Sequence, residues 1–183
     1  MDNGASSYRR FLDGDESAFD SIMENYFHGL VFFIDRYVRD TAAAEDIAVD
    51  VFSDLIVHRS RYNFKVTLKT YLYMIARSRA LDYLKRRKRR STLSLSEAEN
   101  VPDDGKTPEE FVLIDERRRL INDAMEKLPE AMRAAVHLVY FEELSYEEAA
   151  KVMKKNRKQV DNLLYRAKKE LRAILGEDGD LFI

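Results

Sequence analysis

Two helix-opening signatures stand eleven residues apart near the end of this chain, Ser145-Tyr146-Glu147-Glu148 and Asn156-Arg157-Lys158-Gln159. In each, a short polar side chain can accept a hydrogen bond from the backbone amide three residues on. The Glu or Gln at that third position can reach back to the first amide, so two orphan donors are satisfied together. The spacing leaves room for a short helix ending at Met153, a turn of about three residues, and a second helix over residues 157–175 stopped by Gly176. Two capped helices joined by so tight a turn form a helix-turn-helix. Ala149, Ala150, Met153, Val160, Leu164 and Ala167 are its expected inward set, with alanines small enough to let the two axes approach closely.

The rest of the chain also has helical periodicity. Only six Gly and three Pro interrupt 183 residues. Residues 8–12 read as a short helix stopped by Asp13-Gly14, with Asp15 as cap of the next. From Phe19 through Ile22, Met23, Tyr26, Phe27, Leu30, Phe33 and Ile34 to Tyr37, apolar side chains recur three and four apart and make one stripe on a long helix. Thr41 caps an expected third helix over residues 42–58, with Ile47, Val51, Phe52 and Leu55 inward and Asp46, Asp50 and Asp54 on another face. Residues 59–66 read as a loop, and Thr67 opens a fourth helix that ends in Lys85-Arg86-Arg87-Lys88-Arg89-Arg90. With every side chain of that run basic, no face of it can be buried. Thr107-Pro108-Glu109-Glu110 marks another helix start, running to about Lys127, and Leu128-Pro129 separates it from a helix over residues 130–142 with Met132, Ala135, Val136, Val139 and Tyr140 inward. The fold expected is all-α, with two small helical domains, residues 1–90 and 108–183, joined by a flexible acidic linker over 91–107.

Charge is segregated along the chain. Residues 1–60 carry 5 basic and 12 acidic side chains, residues 77–90 carry 8 and 1, residues 91–116 carry 1 and 8, and residues 151–172 carry 9 and 2. Two strongly basic blocks separated by acidic ones would grip a polyanion at two places, which points to nucleic acid rather than to solvated faces alone. The usual enzyme signatures are missing: no phosphate-binding glycine loop, no GxGxxG, no GxSxG. The chain has no Cys, and its three histidines, His28, His58 and His137, lack metal-ligand spacing. The Asp46, Asp50 and Asp54 face suits docking or plain solvation better than a cation, since a regular helix does not wrap carboxylates around Ca²⁺. No cofactor and no metal is expected. No apolar run is long enough to span a membrane and no secretory signal is visible, which agrees with a cytoplasmic protein.

Several stretches, in order, resemble the extracytoplasmic-function (ECF) sigma factors. Ala44-Glu45-Asp46-Ile47-Ala48-Val49-Asp50-Val51-Phe52 is similar to that family's AED-L-x-Q-E-x-F stretch. Tyr71-Leu72-Tyr73-Met74-Ile75-Ala76-Arg77-Ser78, followed by Asp82 and the basic run, is similar to its W-L-Y-x-I-A-R-N…D-x-x-R. Leu128-Pro129, Ser145-Tyr146, Glu148-Ala149-Ala150 and Val160…Arg166-Ala167…Leu171-Arg172 resemble its C-terminal domain. The resemblance implies a sigma factor, not an enzyme, that binds core RNA polymerase through Glu45, Asp46, Val49 and Asp50. It implies a first domain that opens and reads the −10 promoter element and a second that reads the −35 element. Promoter DNA is then a partner, with room for an anti-sigma factor and no obligate homo-oligomer. The chain departs from the family pattern at Val49 in place of Gln, at Tyr71 and Ser78 in place of Trp and Asn, and at Lys154 in place of the turn glycine. Lys154 implies either backbone strain or a different turn built on Asn156.

On the −35 side, Arg157, Lys158, Gln159, Asn162, Arg166 and Lys169 are the expected DNA contacts. Gln159 and Asn162 have the geometry for base edges, whereas Lys169 suits phosphate. Asp161 either accepts from cytosine N4 or faces solvent. On the −10 side, Tyr62, Asn63, Phe64 and Lys65 supply aromatics and a cation for melted DNA, with Arg77, Lys85, Arg86 and Arg87 on the backbone. Tyr62 and Phe64 serve equally well as core plugs. A rival reading, an autonomous helix-turn-helix regulator, explains the last 40 residues but not the Asp46 face or the 71–82 block.

Overall fold

The computed structural model describes the backbone of residues 4–93 and 112–176, and side chains for residues 4–90 and 120–176. Residues 91–93, expected in the linker, continue the fourth helix, and the rest of the expected linker and the Thr107–Glu110 helix start lie outside the described residues. Those described are mostly helical, with no strand among them. They form two compact units, the first built on four helices, the second on two helices, most of a third, and a fourth.

In the first unit α1 (Ala5–Leu12), α2 (Ser17–Val38), α3 (Thr41–Val57) and α4 (Leu68–Leu93) pack together. The apolar stripe of α2 forms the centre: Phe19, Ile22, Leu30, Phe33, Ile34 and Tyr37 are buried against Ile47, Val51, Phe52 and Leu55 of the same core. Tyr8 is fully buried, and its hydroxyl donates to the carbonyls of Leu55 and Arg59, both at 3.1 Å, tying α1 to the end of α3. Two caps differ from expectation by one residue. Asp40, not Thr41, caps α3, its carboxylate accepting from the Ala43 amide at 3.0 Å. Glu16 precedes α2 with no side-chain cap, while Asp15 accepts the Ser17 hydroxyl at 2.6 Å. Thr67 caps α4 as expected, its hydroxyl 3.1 Å from the Thr70 amide.

The second unit comprises α5 (Val112–Lys127), α6 (Glu130–Val136), α7 (Tyr146–Met153) and α8 (Arg157–Leu175). α6 does not continue to residue 142 as a regular helix. It passes into a π turn, His137–Phe141, closed by the Glu142 amide on the His137 carbonyl at 3.1 Å. The wider turn rotates the residues beyond it. His137 and Leu138 are buried, while Tyr140, expected inward, is 38% exposed and Phe141 49%. Among the described residues no helix is long and apolar enough to cross a membrane.

Candidate nucleic-acid and partner interfaces

Both helix-opening signatures form as read. The Ser145 hydroxyl accepts from the Glu148 amide at 3.3 Å, and the Glu148 carboxylate accepts from the Ser145 amide at 3.0 Å. Eleven residues on, Asn156 Oδ1 accepts from the Gln159 amide at 2.8 Å and Gln159 Oε1 from the Asn156 amide at 2.9 Å. Between them α7 ends on Lys154 at φ 53°, with the Lys155 amide on the Ala150 carbonyl and the Lys154 amide on the Lys151 carbonyl. That pair of bonds is the glycine-type helix stop, made here by a lysine at a cost of about 1–2 kcal/mol. The strained alternative for Lys154 is the one realised, and Asn156 caps rather than turns.

α8 divides cleanly. Val160, Leu164, Ala167 and Leu171 are buried, while Arg157, Lys158, Gln159, Asp161, Asn162, Tyr165, Arg166 and Lys169 are exposed. Lys158, Asn162, Tyr165 and Lys169 fall four, three and four apart, so they make one outward stripe. Two of the expected contacts already have duties within the protein. Arg157 pairs with Glu147 at 3.2 Å, and the Gln159 carbonyl oxygen is held in the cap. Tyr165, which the sequence places on the outward face without a contact of its own, is 72% exposed in the middle of the stripe. A solvated aromatic between a base-reading type and a lysine is the signal that could have singled it out.

The loop before α4 separates its four residues. Tyr62 is 3% exposed, its hydroxyl donates to the Val66 carbonyl at 2.8 Å, and its ring packs on Tyr8, Phe64 and Tyr71. Of the two roles open to it, the core plug is the one realised. Burial raises its hydroxyl pKa. Phe64 is half-buried at φ 61°, a conformation costly for a bulky residue, with the Arg9 guanidinium 4.9 Å from its ring centre. Asn63 and Lys65 are exposed, and Asn63 Oδ1 accepts from the Lys65 amide at 3.1 Å, which fixes the turn between them. Arg77 is partly buried, and its Nε is enclosed with no hydrogen-bond partner. Residues 85–90 are all exposed, as their composition requires. Lys85 lies 3.4 Å from Asp82, and Arg87 donates to the Val38 carbonyl at the end of α2 at 3.2 Å, so Arg87 also serves the fold.

On α3, Glu45, Asp46, Val49 and Asp50 are exposed together, with Val49, where the family has Gln, half open to solvent. Asp54 does not share that openness. Its side chain is 14% exposed and meets His58 Nδ1 at 2.9 Å, Arg61 at 3.2 Å and Arg79 at 3.4 Å. Arg79 also lies 3.4 Å from Asp50. The presented face is therefore Glu45, Asp46, Val49 and Asp50, and Asp54 is an internal ion-pair centre. Among the described residues no cluster of His, Asp or Glu could hold a metal ion.

Two family descriptions match the chain: Sigma-70 region 2 over residues 22–90 and Sigma-70, region 4 over residues 118–171. RNA polymerase sigma-H factor of Pseudomonas aeruginosa is 33% identical over 172 residues, covering 88% of each chain. ECF RNA polymerase sigma-E factor of Escherichia coli is 31% identical over 152 residues, 79% of each. Among solved structures, the sigma factor RpoE of Bartonella quintana, crystallised with the anti-sigma factor NepR, superposes with a TM-score of 0.69 at 21% identity over 87% of this chain and 98% of that one. CnrH, in complex with the cytosolic domain of CnrY, gives 0.63 at 19% identity over 96% of each.

Proposed function

Since the chain belongs to the sigma-70 family, in its ECF branch, it binds core RNA polymerase and directs transcription initiation at promoters without being an enzyme, and we propose how its surfaces divide that work. The second unit reads the −35 element with the outward stripe of α8. The observation that carries this is the stripe itself: Lys158, Asn162, Tyr165 and Lys169 stand exposed on a helix held by a complete capping box and by four buried apolar residues behind them. A rigid helix with its N-terminal turns polar and solvated is what enters a major groove. Asn162 supplies both a donor and an acceptor for a base edge, Lys158 and Lys169 suit phosphate, and Tyr165 offers an apolar face to a thymine methyl.

The first unit takes the melted −10 strand. Asn63, Phe64 and Lys65 are the loop residues that reach solvent, Tyr62 supports them from within, and Arg77 with the exposed run 85–90 follows the backbone. The Glu45, Asp46, Val49 and Asp50 face docks on core polymerase. An anti-sigma factor is a further partner on this reading, as NepR is for RpoE of Bartonella quintana, and the place of action is the cytoplasm. An autonomous regulator would leave residues 22–90, and their region 2 match, without a role.

Core-enzyme capture by the Asp46→Lys/Asp50→Lys variant tests the docking face. Capture should be lost while the far-ultraviolet dichroism and the melting temperature stay near wild type. Normal capture by the folded variant refutes the assignment.

A further inference from the structure

The region 2 match begins at residue 22, so α1 lies ahead of it, yet α1 is fixed to the first unit along its length. At its start Gly4 adopts φ 76°, and a Cβ there would stand 2.8 Å from the Tyr26 hydroxyl oxygen and 3.0 Å from the Leu68 side chain. The backbone at this end is therefore pressed against α2 and α4, where only glycine fits. One turn on, the buried Tyr8 donates to the Arg59 carbonyl, and its ring centre lies 5.4 Å from that of Tyr62 and 6.2 Å from that of Phe64. The next residue, Arg9, is exposed and sets its guanidinium 4.9 Å from the Phe64 ring centre. Two consecutive residues of α1 thus reach the loop before α4, and both touch the residue that is held at φ 61°. A bulky side chain keeps so costly a backbone conformation only where its surroundings hold it there.

The arginines of α1 and of this loop differ in what answers their charge. Arg10 is paired with Asp15, and Arg61 with Asp54 at 3.2 Å. Arg9 has no carboxylate partner among the described residues; its contact is the Phe64 ring. A cation over an aromatic ring is held in place without spending its N–H donors on an anion. A guanidinium is also weakly hydrated and presents those donors in a rigid fork, so it loses little on meeting a phosphate. We propose that α1 belongs to the −10 strand site, with Arg9 binding a backbone phosphate of the melted strand beside the base that meets Phe64. This rests on the reading of Asn63, Phe64 and Lys65 as the loop that takes that strand. A base stacked on the Phe64 ring carries its own phosphate past the guanidinium, and Lys65 adds a second exposed cation one residue along. Tyr8 is the positioning residue, since its hydroxyl and ring fix the loop to the helix that carries Arg9.

Holoenzyme carrying Arg9→Ala, Arg9→Lys or Lys65→Ala tests this on two probes taken from a promoter that the wild type selects. One is a fork, duplex over the −35 element and single-stranded over the −10 element; the other is the −35 duplex alone. Arg9→Ala should bind the fork several-fold more weakly, with a log–log salt slope shallower by about 0.7, and should bind the duplex as the wild type does. Arg9→Lys, which keeps the charge, should restore the slope. The Arg9 side chain is exposed, so the melting temperature should stay near wild type. Weaker fork binding at an unchanged slope would mean that Arg9 only braces Phe64, and equal losses on both probes would mean a general charge effect; either overturns the phosphate contact. If Lys65→Ala weakens fork binding and Arg9→Ala does not, the loop reading stands and the role of Arg9 fails. If neither variant weakens it, the loop reading fails and takes this proposal with it.

Discussion

Gln159 holds its cap with the same oxygen that an adenine-reading fork would use, and this conflict can be measured. Its Oε1 accepts from the Asn156 amide at 2.9 Å, which holds that oxygen at the helix start although it keeps a second lone pair, and leaves the amide hydrogens as the part of the group freest to meet DNA. An adenine fork needs the same oxygen for N6. While the box is closed, Gln159 therefore suits acceptor edges such as guanine O6 and N7. Two substitutions separate the roles. Gln159→Ala removes one box hydrogen bond at a solvated helix end, worth about 0.5–1 kcal/mol, and so lowers the melting temperature of a chain this long by about 1–4 °C. Gln159→Glu keeps an acceptor for the Asn156 amide and places a negative charge at the helix N-terminus, where it is favourable, so the melting temperature should hold or rise. Its loss of the donor should nevertheless change the −35 preference, moving the contacted position toward cytosine, whose N4 donates. Thermal melts and selection on randomised −35 sequences with mutant holoenzyme give both readouts. If Gln159→Glu melts as low as Gln159→Ala, the Oε1 bond is not what holds the helix start. If neither substitution alters the selected sequences, Gln159 caps and does not read.

Three further outcomes are expected. Lys154→Gly should stabilise by about 0.5–1 kcal/mol, the left-handed cost less glycine's extra backbone entropy, and a lower melting midpoint would refute the strain at φ 53°. Lys169→Ala should weaken holoenzyme on all −35 sequences alike and make the log–log salt slope shallower by about one, whereas a changed sequence profile would mean that α8 enters the groove in another rotation. Burial pushes the Tyr8 hydroxyl up to about 12, above its unfolded value of 10.0, so its contribution to stability is complete below pH 10 and lost as pH rises toward 12; urea midpoints across that window should fall less steeply in Tyr8→Phe.

Local chemistry was the legible part of this chain. A capping box involves residues three apart, so both boxes could be read from sequence, as could the buried sides of α2 and α8. What escaped depended on distant partners or on a change of helix pitch. Asp54 looked like the third member of an acidic face because Arg79, 25 residues later, cannot be seen to approach it in a one-dimensional reading. Tyr62 could not be decided because the loop has no periodicity, and its burial is set by Tyr8 and Tyr71 from two other helices. Tyr140 was placed inward on a period of 3.6, and the π turn His137–Phe141, in which it lies, breaks that period. The double duty of Gln159 followed from residues already identified, but only the position of its Oε1, 2.9 Å from the Asn156 amide, turns it into a competition.

That π turn also makes the direction of two aromatic rings a matter of counting. Were the residues from His137 to Phe141 wound as ordinary α-helix, the chain would need one residue fewer to close the same turn. Deleting one residue there would leave Tyr140, Phe141 and every neighbour chemically intact. It would nevertheless swing each following side chain by about 100° and draw it back by about 1.5 Å. Two sequences alike in every residue type but differing by a single position in this stretch would therefore present different surfaces, so for comparing such chains the length of the segment carries more information than its composition.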